Sequence, residues 1–527
     1  MTISRNYRGK TPNTRRTIVI IVAGIFTACA SAVRAAHPNE LTTAAPLLAT
    51  VVVEGSTAYE APALFSIYRE QLGQPIARDS AQAVSAALVE QYTRDGFVKP
   101  EIELDGSLAG RGVLRLQVHE AEITRVVFEG DHGRFSDSLR RIGAQLESSK
   151  PLRRDDVPQA LRRMRDISGL SVTAITRRTS QRNAFELVVQ SDFSPIDGVV
   201  RMNNRGTSQV GPNFLLGQVF VNGLLSRQEK IGLIFAAATD PDEYLGGGLY
   251  FDTPLGARGT RGNALIFRSH SAPNEAPVNY DDEYTRERAT LRVSQPLRQD
   301  SQLSLVTALA FDADDLIIDR AGTPIRHDRL RIIEGALRSS WRGAAGIQYS
   351  ANLQLRKGLD AFGAGLQALD LASDPRRADF LLTQLQASAY RRFADRWSVR
   401  FDAFAQHSGY VLPDSERFKI GGDRLGRGFE VAEIAGDRGV GGKLELRRDL
   451  LNTESMIGRL STYGFYDIGA AWKQDRPGRE SAATAGIGAG MQGSTLTGYL
   501  EIAAPLTGAD IEGKRAASVF AELSYRF

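Results

Sequence analysis

The chain has 527 residues, with 65 Lys and Arg against 61 Asp and Glu, a formal net charge of +4 and a single cysteine. Six of those cations and none of the acids lie in residues 1–36, so removing that segment turns +4 into −2; the basic balance belongs to a leader and argues against nucleic acid as a partner. Cys29 lies there too, which leaves the remaining chain without disulfide or thiol chemistry.

Residues 1–36 read as a signal peptide. A basic region (Arg5, Arg8, Lys10, Arg15, Arg16) precedes an apolar run, Thr17 to Thr27, and then the small residues "ACASAVRAA", with cleavage expected after Ala35 or Ala36. Phe26-Thr27-Ala28-Cys29 loosely resembles a lipobox, but Phe suits that position poorly and a cleaved leader fits better. No later apolar run approaches the ~20 residues of a membrane-spanning helix. An exported chain of this kind is either soluble or enters a membrane as a β-barrel.

Residues 46–120 and 121–194 form a repeat. "TVVVEGSTAYEAPAL" (Thr50–Leu64) is echoed by "TRVVFEGDHGRFSDSL" (Thr124–Leu139), in which a β-branched strand ends in Glu-Gly and leads into a helix. A second helix follows in each copy, with Ala81, Val84, Leu88 and Tyr92, then Val157, Leu161 and Met164, at helical spacing. Gly96 and Gly169 are the expected stops. Two strands close each copy, giving the order β-α-α-β-β. Such modules offer a strand edge, or the groove beside the second helix, to an extended peptide.

From about residue 195 the pattern alternates with period two. "IQYSANLQLR" puts Ile347, Tyr349, Ala351, Leu353 and Leu355 on one face; "WSVRFDAFAQ" alternates apart from Phe404, and the final "SVFAELSYRF" apart from Phe520. A soluble sandwich also alternates, but residues 195–527 suffice, at ~10 residues per strand plus connections, for about 16 membrane strands. The expected fold is therefore two α+β modules followed by an all-β transmembrane barrel of about 16 antiparallel strands. Pro-Leu at 254–255, 296–297 and 505–506 marks strand ends at short turns, whereas His270–Tyr284 and Asp319–Asp328 read as longer polar loops.

"GGDRLGRGFEVAEIAGDRGV" (Gly421–Val440) is too long and too charged for an ordinary turn. On "GFYDIG", Phe465, Asp467 and Gly469 share one face, which must be luminal because a carboxylate facing lipid is costly.

These features together resemble the two-partner secretion transporters (TpsB, the FhaC/ShlB/HecB-like haemolysin secretion/activation proteins) of the BamA superfamily, whose modules are called POTRA domains. "QYTRDGF" (Gln91–Phe97) is similar to the family's motif at the end of the first POTRA helix pair, and "MNNRGT" (Met202–Thr207) to its barrel start. Gly426-Arg427-Gly428-Phe429 resembles the motif at the tip of a loop, here about 421–442, that folds back into the lumen; Phe465-Tyr466-Asp467-Ile468-Gly469 resembles its partner on the barrel wall. The resemblance implies an Arg427–Asp467 pair. Gly426 stands where Val or Ile is usual, which would loosen the tip.

The implied function is an outer-membrane translocator without nucleotide hydrolysis. An unfolded, TpsA-like exoprotein with an N-terminal secretion domain would be met in the periplasm by the POTRA domains, with Phe97, Val98, Ile102, Val172 and Ile175 as candidate contacts. Phe527 would serve as the C-terminal barrel signal. Other implied partners are outer-membrane lipid, lipopolysaccharide and the barrel assembly machinery. No cofactor, no metal and no catalysis are expected: the six histidines are scattered, and no Walker lysine motif or serine elbow occurs. The alternatives are a barrel assembly or insertion factor, and a passive porin or receptor. The ten residues "HPNELTTAAP" are too few for the family's plug helix plus linker at ~1.5 Å per residue, so either the plug is missing or the loop alone seals the pore, and a variant system with different cargo stays open.

Overall fold

The computed structural model describes residues 46–76, 78–207, 210–225, 227–256, 258–273, 282–300, 302–369, 373–453, 458–508 and 516–527. The expected leader, nearly all of the short segment behind it and much of His270–Tyr284 lie outside the described residues.

The first module runs β1 (Thr50–Glu54), α1 (Ala61–Tyr68), α2 (Arg78–Arg94), β2 (Glu101–Asp105) and β3 (Val113–His119). Its sheet has the order β1-β3-β2, with β1 parallel and β2 antiparallel to the central strand. Val84, Leu88 and Tyr92 of α2 pack on Val51, Leu114, Leu116 and Val118, so the i, i+4, i+8 stripe meets the inward face of a period-two strand. The second module repeats the order with β4 (Glu122–Gly130), α3 (Ser136–Glu147), α4 (Asp156–Arg165), β5 (Leu170–Arg178) and β6 (Ala184–Phe193), in a sheet ordered β4-β6-β5.

The shared Glu-Gly has one cause in both copies. Gly55 (φ +79°) and Gly130 (φ +92°) lie so close to the neighbouring strand that a β-carbon would sit 2.3 Å from the Val118 carbonyl oxygen and 2.2 Å from that of Ser191. By its contacts the chain parts into two units. One holds the first module with residues 150–152 and 173–189; the other holds the rest of the second module and everything beyond it.

Sixteen antiparallel strands close a ring, from Ile196–Asn203 to Ser518–Arg526, which pair from Glu522↔Asn203 to Arg526↔Val199. A short strand, Gly365–Ala368, pairs with the far end of Thr323–Arg342. Alternation sorts the faces. Leu291, Leu309, Leu353, Ile468 and Leu523 are exposed on the outside, while Asp312, Glu334, Arg356, Asp467 and Glu501 are buried inside. Among the described residues no helix is long and apolar enough to cross a membrane; this chain has strands for that. The proximal rim, where the second module joins, carries turns as short as residues 395–396, while the distal rim carries the long connection 409–437.

Three expectations are corrected. Asp319–Asp328 is no loop: strands Leu303–Arg320 and Thr323–Arg342 run on to a two-residue turn, Ala321 (φ +49°) and Gly322 (φ +76°), where positive φ at both positions closes a hairpin tightly. Pro296 sits at a bulge inside Asp282–Gln299 rather than at a strand end. Pro505 does end its strand, but at the distal rim before the connection 506–517, not at a short turn.

Candidate functional site in the barrel lumen

After Ser408 the chain leaves the wall and returns at Arg438, so the inserted loop is 409–437; residues 438–442, expected in the loop, already belong to the wall strand Arg438–Asn452, whose alternation is blurred by Gly439, Gly441 and Gly442. The loop doubles back on a small hairpin, Phe418–Ile420 against Ile434–Gly436. Its apolar side chains Phe418, Ile420, Leu425 and Phe429 are buried with Phe404, Ala471 and Ala482 of the wall. The wall receives them on glycine. A β-carbon at Gly439 would lie 2.0 Å from Phe418, one at Gly441 2.3 Å from Leu425, and one at Gly469 3.0 Å from both Ile420 and Leu425.

At the tip, Arg427 and Asp467 are 5% and 0% exposed. Arg427 donates from Nε to Asp467 Oδ2 (3.0 Å) and from Nη2 to Oδ1 (2.8 Å), a two-pronged pair. The backbone N–H groups of Gly426 and Arg427 donate to the same Oδ2, each at 3.2 Å. Nη1 reaches Glu501 Oε2 (3.1 Å) and Glu445 Oε2 (3.4 Å), and the guanidinium lies 3.4 Å from the Phe465 ring centre. Gly428 is pressed against the wall: its N–H donates to Thr484 Oγ1 at 3.4 Å, and a β-carbon would sit 2.9 Å from Pro505 N. Glycine at 426 does not loosen the tip. Its φ of +83° is one that β-branched residues avoid, and that conformation aims its N–H at Asp467.

A second tie holds the loop's root. Arg356 of the wall donates to Glu416 Oε2 (2.9 Å) and Oε1 (3.1 Å), while also pairing with Glu334 (2.5 Å) and Asp312 (3.3 Å). Ion pairs this buried roughly break even against their desolvation, whereas each large apolar side chain seated contributes roughly 1.5–3 kcal/mol. The apolar seat therefore holds the loop down, and the ion pairs fix its register.

The structure brings Gly426, Arg427, Gly428 and Phe429 together with Phe465, Asp467 and Gly469. It separates the module candidates by exposure. Val172 is 5% exposed and thus part of an interior, and Phe97 packs edge-on to Tyr92 at 5.8 Å between centroids. Ile102 also packs against the first core, and Val98 is half-buried, its N–H donating to the Leu152 carbonyl at 2.9 Å. Ile175, 57% exposed on the edge strand β5, is the one that presents a surface. Phe527 exchanges both backbone hydrogen bonds with Gly198 (3.1 and 3.2 Å), adding a rung to the closing pair.

Sequence reasoning missed Glu501, Glu445, Arg205, Arg356 and Glu416. The two aromatics that broke alternation were the available signal. Phe404 faces inward to meet the loop, and Phe520 faces inward beneath Arg205, whose guanidinium lies 4.1 Å from its ring centre.

Two β-α-α-β-β modules, a closed sixteen-stranded ring and a loop pinned inside it by arginine define an outer-membrane β-barrel of the BamA superfamily. Within it, the chain belongs to the haemolysin secretion/activation protein family ShlB/FhaC/HecB, whose profile matches residues 186–493. The chain is 20% identical over 367 residues to the outer membrane transporter CdiB of Dickeya dadantii (strain 3937), covering 67% of this chain and 64% of that protein. In structure it is similar to CdiB from Escherichia coli (18% identity, 93% of each chain, TM-score 0.76) and to CdiB from Acinetobacter baumannii (13% identity, 92% of this chain and 90% of the other, TM-score 0.64). BamA from Haemophilus ducreyi lacking POTRA domains 1–3 shares the fold more distantly (13% identity, 92% and 100% covered, TM-score 0.51).

Proposed function

We propose that this protein is a dedicated outer-membrane secretion transporter for a partner exoprotein. The POTRA modules stand in the periplasm and receive the unfolded chain by strand addition, the edge strand β5 with Ile175 being the favoured contact. The exoprotein then passes through the barrel without nucleotide hydrolysis. The loop 409–437 occupies the conducting path at rest and yields during transport. The observation that carries this reading is the loop tip seated in the lumen through Arg427, Asp467, Glu445 and Glu501. A pore meant to stay passively open has no use for so specific an occupant.

The test is deletion of the gene with complementation, followed by mass spectrometry of surface and medium proteins. Loss and return of one large exoprotein supports the proposal. A joint fall of many barrel proteins favours the assembly reading, to which the fold shared with BamA lends support. An unchanged profile favours a passive pore.

A further inference from the structure

The outer wall carries a feature that translocation does not explain. At the distal end of four adjacent strands, pairing aligns two rows of outward residues. Thr383 is opposite His407, and Arg438 is opposite Trp472; one step toward the membrane centre, Leu385 is opposite Ala405, and Ala405 opposite Val440. The small Ala405 between Leu385 and Val440 leaves a groove of about 470 Å³, floored by apolar side chains and topped by Arg438, His407 and Trp472.

Arg438 is the unusual member. Its neighbours in the strand show which way it points: Gly439 faces the loop inside, and Val440 is 50% exposed outside. No carboxylate lines the groove, and the Arg438 Nε is buried without a hydrogen-bond partner among the described residues. The luminal Arg356 and Arg427, by contrast, pair with acids. An arginine on the lipid face is tolerated near the rim and costly at mid-depth. Trp472, the last residue of its strand, marks the rim level at which aromatic side chains meet headgroups. A guanidinium there presents a fork of donors that suits a phosphate.

We propose that this groove binds one phosphate-bearing lipid of the surrounding leaflet, its phosphate on Arg438 beside His407 and Trp472 and an acyl chain along Leu385, Ala405 and Val440. The site also straddles the roots of the luminal loop. His407 and Arg438 bracket it in sequence, and Gln406, next to His407 on the inward face, donates to the Glu416 carbonyl at 2.8 Å. A lipid seated here therefore grips the two strands from which the loop departs and to which it returns. With the modules in the periplasm, a placement that rests on the function proposed above, the leaflet is the outer one and lipid A is the fitting probe.

The test is native mass spectrometry of the full chain purified with lipid A, comparing wild type, Arg438→Gln, Arg438→Lys and Arg391→Gln, the last an outward arginine near the opposite rim. One retained lipid A is expected. Retention should fall roughly tenfold in Arg438→Gln, the loss of one charge-assisted contact, fall less in Arg438→Lys and persist in Arg391→Gln. Equal retention by Arg438→Gln, or an equal fall in Arg391→Gln, overturns the site. Displacement of lipid A by excess inorganic phosphate alone overturns the lipid assignment. Selective retention of phosphatidylglycerol instead, lost with Arg438→Gln, upholds the site but overturns the leaflet and with it the proposed module placement.

Discussion

Arg205 and Arg427 hold opposite oxygens of one carboxylate. Arg205 Nη2 donates to Glu501 Oε1 at 2.6 Å, and Arg427 Nη1 donates to Glu501 Oε2 at 3.1 Å. Arg205 follows the first barrel strand and Arg427 sits at the loop tip, so one acid joins the ring's closing region to its occupant. Removing Glu501 leaves two buried cations short of charge, a loss on the order of 3–5 kcal/mol. Glu501→Gln should lower the heat-unfolding temperature in detergent and raise resting conductance in planar bilayers. The double variant with Arg427→Ala should fall short of the summed single effects by roughly 0.5–3 kcal/mol, because both act on one network.

Gly428→Ala tests the close approach of tip to wall. A methyl group there meets Pro505 N and Thr484 Cγ2 at 2.9 Å, too near for either to yield cheaply. The tip should lift from Asp467, and the variant should conduct like an Arg427→Ala variant while its unfolding temperature drops less, since Arg427 is still present to neutralise the luminal acids. Conductance equal to wild type would mean that the tip does not block the path.

The root tie separates two kinds of damage. Glu416→Gln frees the loop's root yet leaves Arg356 with Glu334 and Asp312, so stability should change by about 1–3 kcal/mol. Arg356→Gln takes the partner from Glu416 and one of two cations from both Asp312, which keeps Arg288, and Glu334, which keeps Arg292, and should cost more, on the order of 3–5 kcal/mol. Thermal unfolding of the two variants side by side checks the order.

Tyr92 gives the first module a pH signature. Its hydroxyl donates to Glu120 Oε1 (2.5 Å) and shares a hydrogen bond with Ser56 Oγ (2.7 Å). Burial first, and Glu120 second, push the phenol above its ordinary value. A raised folded value means that the stabilisation is complete below the unfolded value, about pH 10, and is lost as pH climbs beyond it. Tyr92→Phe should cost about 1–2 kcal/mol at neutral pH, and the gap from wild type should shrink above pH 10. A constant gap across that range would refute the assignment.

Ile175 is the module test. Ile175→Arg changes an exposed side chain on an edge strand and should reduce export of the partner without lowering stability, whereas Val172→Arg should unfold the second module. Quantifying exported protein together with module protease resistance distinguishes the two.

Much of this architecture was legible. The repeat in residues 46–194 and the alternation beyond it follow from periods that helices and strands impose, and the luminal face of Asp467 follows from the cost of charge in lipid. What escaped was long-range. Glu501 and Glu416 read as ordinary acids because their partners, Arg427 and Arg356, are 74 and 60 residues away. The hairpin at Ala321-Gly322 escaped because alanine seldom takes positive φ, and the loop's end escaped because Gly439 and Gly441 erase alternation where the wall needs to be bare.

That bareness has a consequence for traffic. With Phe418, Ile420 and Leu425 withdrawn, Gly439, Gly441 and Gly469 leave a strip of naked backbone along the inner wall. Under the translocation proposed above, a polypeptide sliding past it would meet no side chain on this strip to recognise, so the lane would be indifferent to the identity of what it carries. Selectivity for cargo would then be exercised before entry.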